Sequence, residues 1–277
     1  MSIESSQRRF ADCHIHTDLS GHAEHSLPEV LAALRESSLV GAIVTEHLPL
    51  PISLDPECRV SLPQRELYAY VRALQEEQQR EEGPRLVVGG EADWLDYSPT
   101  WADRSVSEAR AAGVEVILGS VHMLDKWAFD DPAEKERWHE LDVDTVWANY
   151  FEQWCIAARS GLFDVMAHPD LPKKFGFVPD DPQQYYVAAA EAAAEAGVLC
   201  EVSTAGLRKD CAELYPAPAF IRELAARGVG FTLGSDAHST VEIADQFDAA
   251  AALLISLGIT HQAFPLGLGN TEWLPLQ

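Results

Sequence analysis

VGFTLGSDAH (229–238) is the stretch whose reading decides the fold. Its first half is apolar, aromatic and β-branched, which predicts a short strand buried on both faces, as in a parallel sheet. Its second half turns polar and ends in Asp236 and His238. Barrel strands are buried along their length, and their active sites lie at their C-terminal ends, so an apolar run that stops at titratable side chains fits a (β/α) barrel. Outward from this stretch the same form recurs. FADCHIH (10–16) ends in His14 and His16, and LVGAIVTEH (39–47) in Glu46 and His47. RLVVGGEADW (85–94) leads to Glu91, VEVILGSVH (114–122) to His122, and LFDVMAHPD (162–170) to His168. GVLCEVST (197–204) supplies a sixth run before the one at 229.

Amphipathic helical stretches lie between the runs: LPEVLAALRESS (27–38), QRELYAYVRALQEEQQREE (64–82), PQQYYVAAAEAAAEAG (182–197), APAFIRELAARG (217–228) and VEIADQFDAAAALLISLG (241–258). Several end in glycine, the residue expected just past a helix C-terminus. Seven strands alternating with helices predict an α/β fold, a closed or nearly closed TIM-like (β/α)7 barrel, with a doubly wound open sheet as the alternative. No linker, repeat or low-complexity block divides the chain, so residues 1–277 read as one domain. Segment 123–160 is longer than a crossover helix requires and rich in Trp, Asp and Glu, and is expected to cover the site as a lid.

The formal net charge of −24 repels a phosphate backbone, which opposes long nucleic acids as partners. No apolar run reaches membrane-spanning length, and MSIESSQRRF lacks the apolar stretch of a signal peptide. The five cysteines form no CxxC and no regular spacing, which fits a reducing cytoplasm better than a disulfide framework. The sequence does not set the oligomeric state.

Six of the ten histidines sit at strand ends. One histidine there would ordinarily be a core or loop residue, but six beside Glu91 and Asp236 point to metal binding. Imidazole and carboxylate donors, without thiolate, suit zinc, manganese and iron alike. His14 and His16 are two apart on a strand, so both face one side and can grip one ion. A carboxylate such as Glu91 can bridge two ions, which imidazole cannot. Metals about 3.5–4 Å apart clamp the attacking and leaving oxygens at phosphorus, and bound water deprotonates near neutral pH.

HIHT (14–17), TEH (45–47), GGEADW (89–94), GSVH (119–122), AHPD (167–170) and GSDAH (234–238) resemble the PHP (polymerase and histidinol phosphatase) superfamily, in order and along nearly the whole chain. GSVHMLDKWAFD (119–130), DLPKKFG (170–176) and STAGLRKDCAELYP (203–216) resemble its histidinol-phosphate phosphatase branch. The resemblance implies a distorted (β/α)7 barrel with two to three divalent ions (Zn, Mn or Fe). It implies His14, His16, Glu91 and Asp236 around one ion, Glu91, His122 and His168 around a second, and His22, His47 and His238 around a third. His22 lies in LSGHAEHS, where His25 is the alternative. Glu46 stands where the family usually has Asp and is not expected to be a ligand.

The implied reaction is hydrolysis of a small phosphomonoester, L-histidinol phosphate, by a metal-bridging hydroxide, with Glu91, Asp236 and Arg208 in the catalytic machinery. Arg208 follows the sixth strand, and its planar fork matches two phosphate oxygens. Lys209 is a second candidate for phosphate contact, whereas Lys173 and Lys174 read as solvated loop charges. Ser20 and Ser235 read as turn or supporting residues rather than nucleophiles, and Asp12 as either an orienter of a ligand histidine or a strand-edge acceptor. Asp93, Trp94 and Trp127 are available to the organic part of the substrate. The alternatives are a PHP phosphoesterase acting on nucleotides or short oligonucleotides, a barrel that binds without turnover, and an amidohydrolase, which usually carries a strand-four lysine where this chain has Ser120-Val121-His122.

Overall fold

The computed structural model describes residues 9–267 and 269–277. The expectation about a signal peptide rests on MSIESSQRRF (1–10), of which residues 1–8 lie outside the described residues. The chain alternates from its start: β1 (Ala11–Ile15), α1 (Leu27–Glu36), β2 (Gly41–Val44), α2 (Leu67–Gln78), β3 (Arg85–Asp93), α3 (Pro99–Ala112) and β4 (Val116–Ser120). A two-stranded insertion follows, β5 (Met123–Leu124) and β6 (Trp127–Ala128). Alternation then resumes with α4 (Val143–Arg159), β7 (Val165–Met166), α5 (Gln183–Ala196), β8 (Leu199–Ser203), α6 (Pro218–Ala226), β9 (Phe231–Gly234) and α7 (Phe247–Ser256). A hairpin of β10 (His261–Pro265) and β11 (Thr271–Pro275) ends the chain.

Seven strands form one parallel sheet in the order β1-β2-β3-β4-β7-β8-β9. Its outer strands meet: Ile15 bridges Ala237, the His16 N–H donates to the Ala237 carbonyl at 2.9 Å, and the Ser235 N–H and hydroxyl both donate to Asp12. These bonds nearly close the sheet into the barrel and exclude the open doubly wound sheet. Asp12 therefore acts at this seam; among the described residues its four hydrogen bonds come from the His14, Ser235 and Ala244 amides and the Ser235 hydroxyl, none of them from a histidine ring.

Alternation along each strand divides the barrel interior into layers. The lower layer is apolar: Ala11, Cys13, Ile43, Val87, Val116, Leu118, Val165 and Ala167 form a buried cluster around Phe264. On β3 the same inward parity carries Val87, Gly89, Glu91 and Asp93, so apolar filling gives way to carboxylates within one strand. β1 needs a further device, because Cys13 sits in the lower cluster although His14 and His16 belong to the upper layer. The register against β2 shifts between Asp12 and Ile15, and this irregularity turns both histidines toward the mouth.

The terminal hairpin, which the sequence patterning did not announce, closes the bottom. Phe264 is 1% exposed, and a Cβ at Gly41 would overlap its ring. Around the outside, α4, α5 and α6 pack through aromatic rings, with Tyr186 stacked on Phe220 at 4.8 Å and Phe151 edge-on to Phe220 at 5.7 Å. Asp142 starts α4 by accepting the Thr145 N–H at 2.9 Å, and Gly197 ends α5 with a φ of 68°, a conformation glycine adopts without a steric penalty.

The expectation of a lid over 123–160 is corrected. Residues 143–159 are α4, the crossover helix between β4 and β7. The remainder is anchored by aromatic packing: Trp138 is 1% exposed, stacks on Phe177 at 5.1 Å and lies 5.3 Å from Trp127. Trp127 is thus a packing residue of the insertion. Interior aromatic contacts of this kind make the segment a fixed wall.

Candidate metal centre

Glu91, fully buried on β3, is the centre of the upper layer. One of its oxygens lies 3.0 Å from His14 Nε2 and 3.2 Å from both His16 Nε2 and His47 Nδ1. The other lies 3.0 Å from His168 Nε2 and 3.6 Å from His122 Nε2, and accepts a short hydrogen bond from the Ser120 hydroxyl. Five histidines from the ends of four strands, β1, β2, β4 and β7, thus surround one carboxylate. Asp236 stands on the far side, 3.3 Å from His16 Nε2 and 3.7 Å from His14 Nε2. His22 and His238 complete the group, with their Nε2 atoms 2.8 Å apart. His25 lies outside it, its Nδ1 accepting the Thr240 N–H at 3.4 Å.

The ring nitrogens turned away from the centre define its chemistry. The Nδ1–H groups of four histidines donate to fixed acceptors: His14 to Glu201 at 2.9 Å, His122 to Asp93 at 2.8 Å, His22 to the Ser20 carbonyl at 3.0 Å and His238 to the Asp236 carbonyl at 3.0 Å. A proton held at Nδ1 leaves the Nε2 lone pair facing inward. Lone pairs meeting at 2.8 Å, as between His22 and His238, repel unless a proton or a metal ion is shared between them. The donors gather in overlapping groups of three within 4.8 Å: His14, His16 and Asp236; His16, His47 and His238; His47, Glu91 and His122. This all-nitrogen-and-oxygen donor set, backed by hydrogen bonds to the outer ring nitrogens, fits divalent metal ions.

Charge is shared unevenly within the group. Burial penalises an ionised Glu91, but His47 and His14 outweigh it and hold the carboxyl well below its usual range; His14 does the same for Asp236. Burial also opposes charge on His16, yet Asp236 and Glu91 push its pKa up to about 9, and Asp93 and Glu91 push His122 up to about 10. Burial, with His16 nearby, drives His238 down to about 3, and burial drives His47 well below the usual value. Against burial, Glu201, Glu91 and Asp236 likewise raise His14 well above its usual value, so at pH 7 the metal-free centre holds additional protons on His14, His16 and His122 that an incoming cation must displace. Metal uptake is expected to release protons and to tighten as pH rises from 6 toward 9. Calorimetric titration with manganese or zinc in two buffers of different ionisation enthalpy measures the release, and no proton release would refute this description.

Arg208, just past β8, donates through Nη2 to the carbonyls of Ser235 and Asp236 at 2.8 and 3.3 Å, and its Nε lies 3.1 Å from Glu242. Its buried Nη1 has no hydrogen-bond partner among the described residues. Lys209 is exposed and makes no ion pair among the described residues. Lys173 departs from the solvated reading. It is 2% exposed, and its ammonium meets Asp170 at 2.9 Å, Glu213 at 2.8 Å and the Leu214 carbonyl at 2.7 Å. Lys174 is half-buried against Asp130 at 3.0 Å, which ties the insertion to the loop after β7. Glu46 lies outside the centre, accepting the Thr17 N–H and the Ser20 hydroxyl, and the Ser235 hydroxyl is bound to Asp12. Trp94 is buried and donates to Gln153 at 3.1 Å.

Two supporting carboxylates were not legible as such. Asp93, expected from the sequence as a neighbour of substrate, instead fixes His122. Glu201 stands inside GVLCEVST, where an acid within an apolar strand is itself a signal, because a buried charge must find partners.

Comparison with known proteins identifies the family. The PHP domain family matches residues 12–205, which carry the whole group except Asp236 and His238. A Deinococcus radiodurans protein named "Probable histidinol-phosphatase" is 37% identical over 249 residues, covering 89% of this chain and 93% of its own. A "Probable phosphatase" of Acetivibrio thermocellus is 24% identical over 249 residues, covering 88% of this chain and 85% of its own. The crystal structure of histidinol phosphate phosphatase from Lactococcus lactis, complexed with zinc, L-histidinol and phosphate, superposes with a TM-score of 0.75 at 16% identity, over 96% of this chain and 99% of that one. At that identity the last likeness is one of fold. The family match and the nearly full-length relative together decide the matter: this chain belongs to the PHP domain family.

Proposed function

We propose that this protein is a phosphoric monoester hydrolase acting on L-histidinol phosphate. The observation that carries the reading is Glu91, a carboxylate within 3.6 Å of five histidines at the barrel mouth. The likeness to a protein named as a histidinol-phosphatase supports the choice of substrate. Residues 1–277 are taken as one phosphoesterase domain, since the main buried cluster runs from Phe10 to Leu276. No helix among the described residues is long and apolar enough to cross a membrane, and the five free thiols suit a cytoplasmic location.

In this reading His14, His16, Glu91 and Asp236 hold one divalent ion, Glu91, His122 and His168 a second, and His22, His47 and His238 a third, the metals being zinc, manganese or iron. Such ions, when bound, neutralise phosphoryl charge and lower the pKa of water. Glu91 directs its two oxygens to opposite sets of histidines and so sets their spacing. Arg208 is held by two carbonyls of the β9 loop and by Glu242, and its Nη1, 3.9 Å from Asp245 and without a hydrogen bond among the described residues, is the group that donates to a phosphate oxygen and stabilises the charge that develops there. Lys209 is a secondary phosphate contact. The Ser20 and Ser235 hydroxyls are occupied by Glu46 and Asp12, so neither is placed as a nucleophile, and water attacks phosphorus.

The test is phosphate release by protein loaded with manganese or zinc, from histidinol phosphate and from a panel of nucleoside monophosphates, beside elemental analysis. The expected result is two to three metals per chain, activity lost to a chelator, and the highest kcat/KM for histidinol phosphate. A higher kcat/KM for a nucleotide would overturn the substrate. Arg208→Ala is expected to lower kcat/KM about 100-fold, the scale of one lost charge-stabilising donor.

A further inference from the structure

Glu201 is the fully buried carboxylate of β8. Its two oxygens serve different strands. Oε1 accepts the His14 Nδ1–H at 2.9 Å, and Oε2 accepts the backbone N–H of His168 at 2.7 Å. His168 has a φ of 27°, a left-handed conformation that a side chain adopts only when its surroundings hold it there. The neighbouring strand makes room for the carboxylate, because a Cβ on Gly234 would overlap Glu201 and come within 2.8 Å of the His14 Cβ. Gly234 of GSDAH is therefore matched to Glu201.

An ionised carboxylate only accepts hydrogen bonds. It fixes the His14 proton at Nδ1 and turns the Nε2 lone pair toward His16 and Glu91, 2.9 and 3.0 Å away. The same group sets the His168 backbone, whose Nε2 reaches the other oxygen of Glu91 at 3.0 Å. We propose that Glu201 is a positioning residue that couples the two sides of the centre, presetting His14 and His168 together for metal binding. The proposal rests on the reading of the group as a metal centre.

Glutamine is nearly the same size but offers one acceptor oxygen. If that oxygen faces His14, its NH2 meets the His168 N–H donor to donor. If it faces His168, its NH2 meets the His14 Nδ1, and the proton must move to Nε2, where it blocks coordination. Packing survives in Glu201→Gln and double acceptance does not.

The experiment titrates zinc into metal-free wild-type and Glu201→Gln protein by calorimetry, without substrate, after circular dichroism and thermal melting have established folding. The expected result is affinity 10–100-fold lower in the variant, the usual scale for losing a group that orients a ligand. With saturating metal, kcat should fall while KM for histidinol phosphate stays within about twofold. Equal zinc affinity and stoichiometry in the two proteins would overturn the proposal, whereas a wild type that binds no zinc would overturn the reading of the centre beneath it. A further measurement does not depend on the variant folding. Nitrogen-15 spectra of histidine-labelled, zinc-loaded wild type should show His14 protonated at Nδ1, and a proton at Nε2 would also overturn the proposal.

Discussion

Glu91→Ala is expected to lower kcat/KM for histidinol phosphate by at least ~10³-fold, with metal content falling in parallel. The size follows from the place of the side chain. Removing it deletes one neighbour from each of five histidines and the carboxylate that would bridge two ions, so charge stabilisation at phosphorus is lost from both sides at once. The fold should lose much less. The strand is held by its ladder to β2 and β4 and by Val87 and Val88, and these do not involve the carboxylate. Elemental analysis, phosphate release and a melting curve on the same preparation separate the effects. Full activity in Glu91→Ala would end the bridging role.

Phe264→Ala has the opposite profile. The ring is 1% exposed and fills the lower barrel among Ala11, Cys13, Ile43 and Val116, all set in closed strands that cannot collapse into the space it leaves. Truncating a buried Phe under those conditions costs about 3–5 kcal/mol. For a chain of this size that lowers Tm by about 10 °C. The catalytic layer lies at the other end of the strands, so kcat/KM at 20 °C should stay within about twofold. A paired variant sharpens the test. Gly41→Ala alone drives a methyl into the Phe264 ring and should destabilise by about 1–3 kcal/mol, but in the Phe264→Ala background that cost should vanish. Additive effects of the two changes would show that the ring does not pack as described.

Much of the centre was legible because a barrel aligns position in sequence with position in space. His14, His16, His47, Glu91, His122, His168 and Asp236 each end an apolar run, and a parallel barrel places all such ends at one mouth. Two readings failed for one shared reason. Lys173 in DLPKKFG looks like a loop charge, yet it is buried by Asp170 and by Glu213, forty residues further on. Segment 123–160 looked long enough for a lid, but Trp138 finds Phe177 across an intervening helix and strand, and that stack fixes the segment. Neither partnership leaves a trace in local composition.

By itself, then, the sequence determined the number of strand–helix units, the end of the barrel that carries chemistry, and the kinds of donor atom gathered there, because hydrophobic periodicity and strand polarity are local properties. The tertiary structure alone decided that His22 and not His25 faces His238, that Glu201 serves two histidines, and that Phe264 closes the floor. Each of these depends on which distant backbone segments come within a few ångströms, and that is set by closure of the sheet and packing of the whole chain.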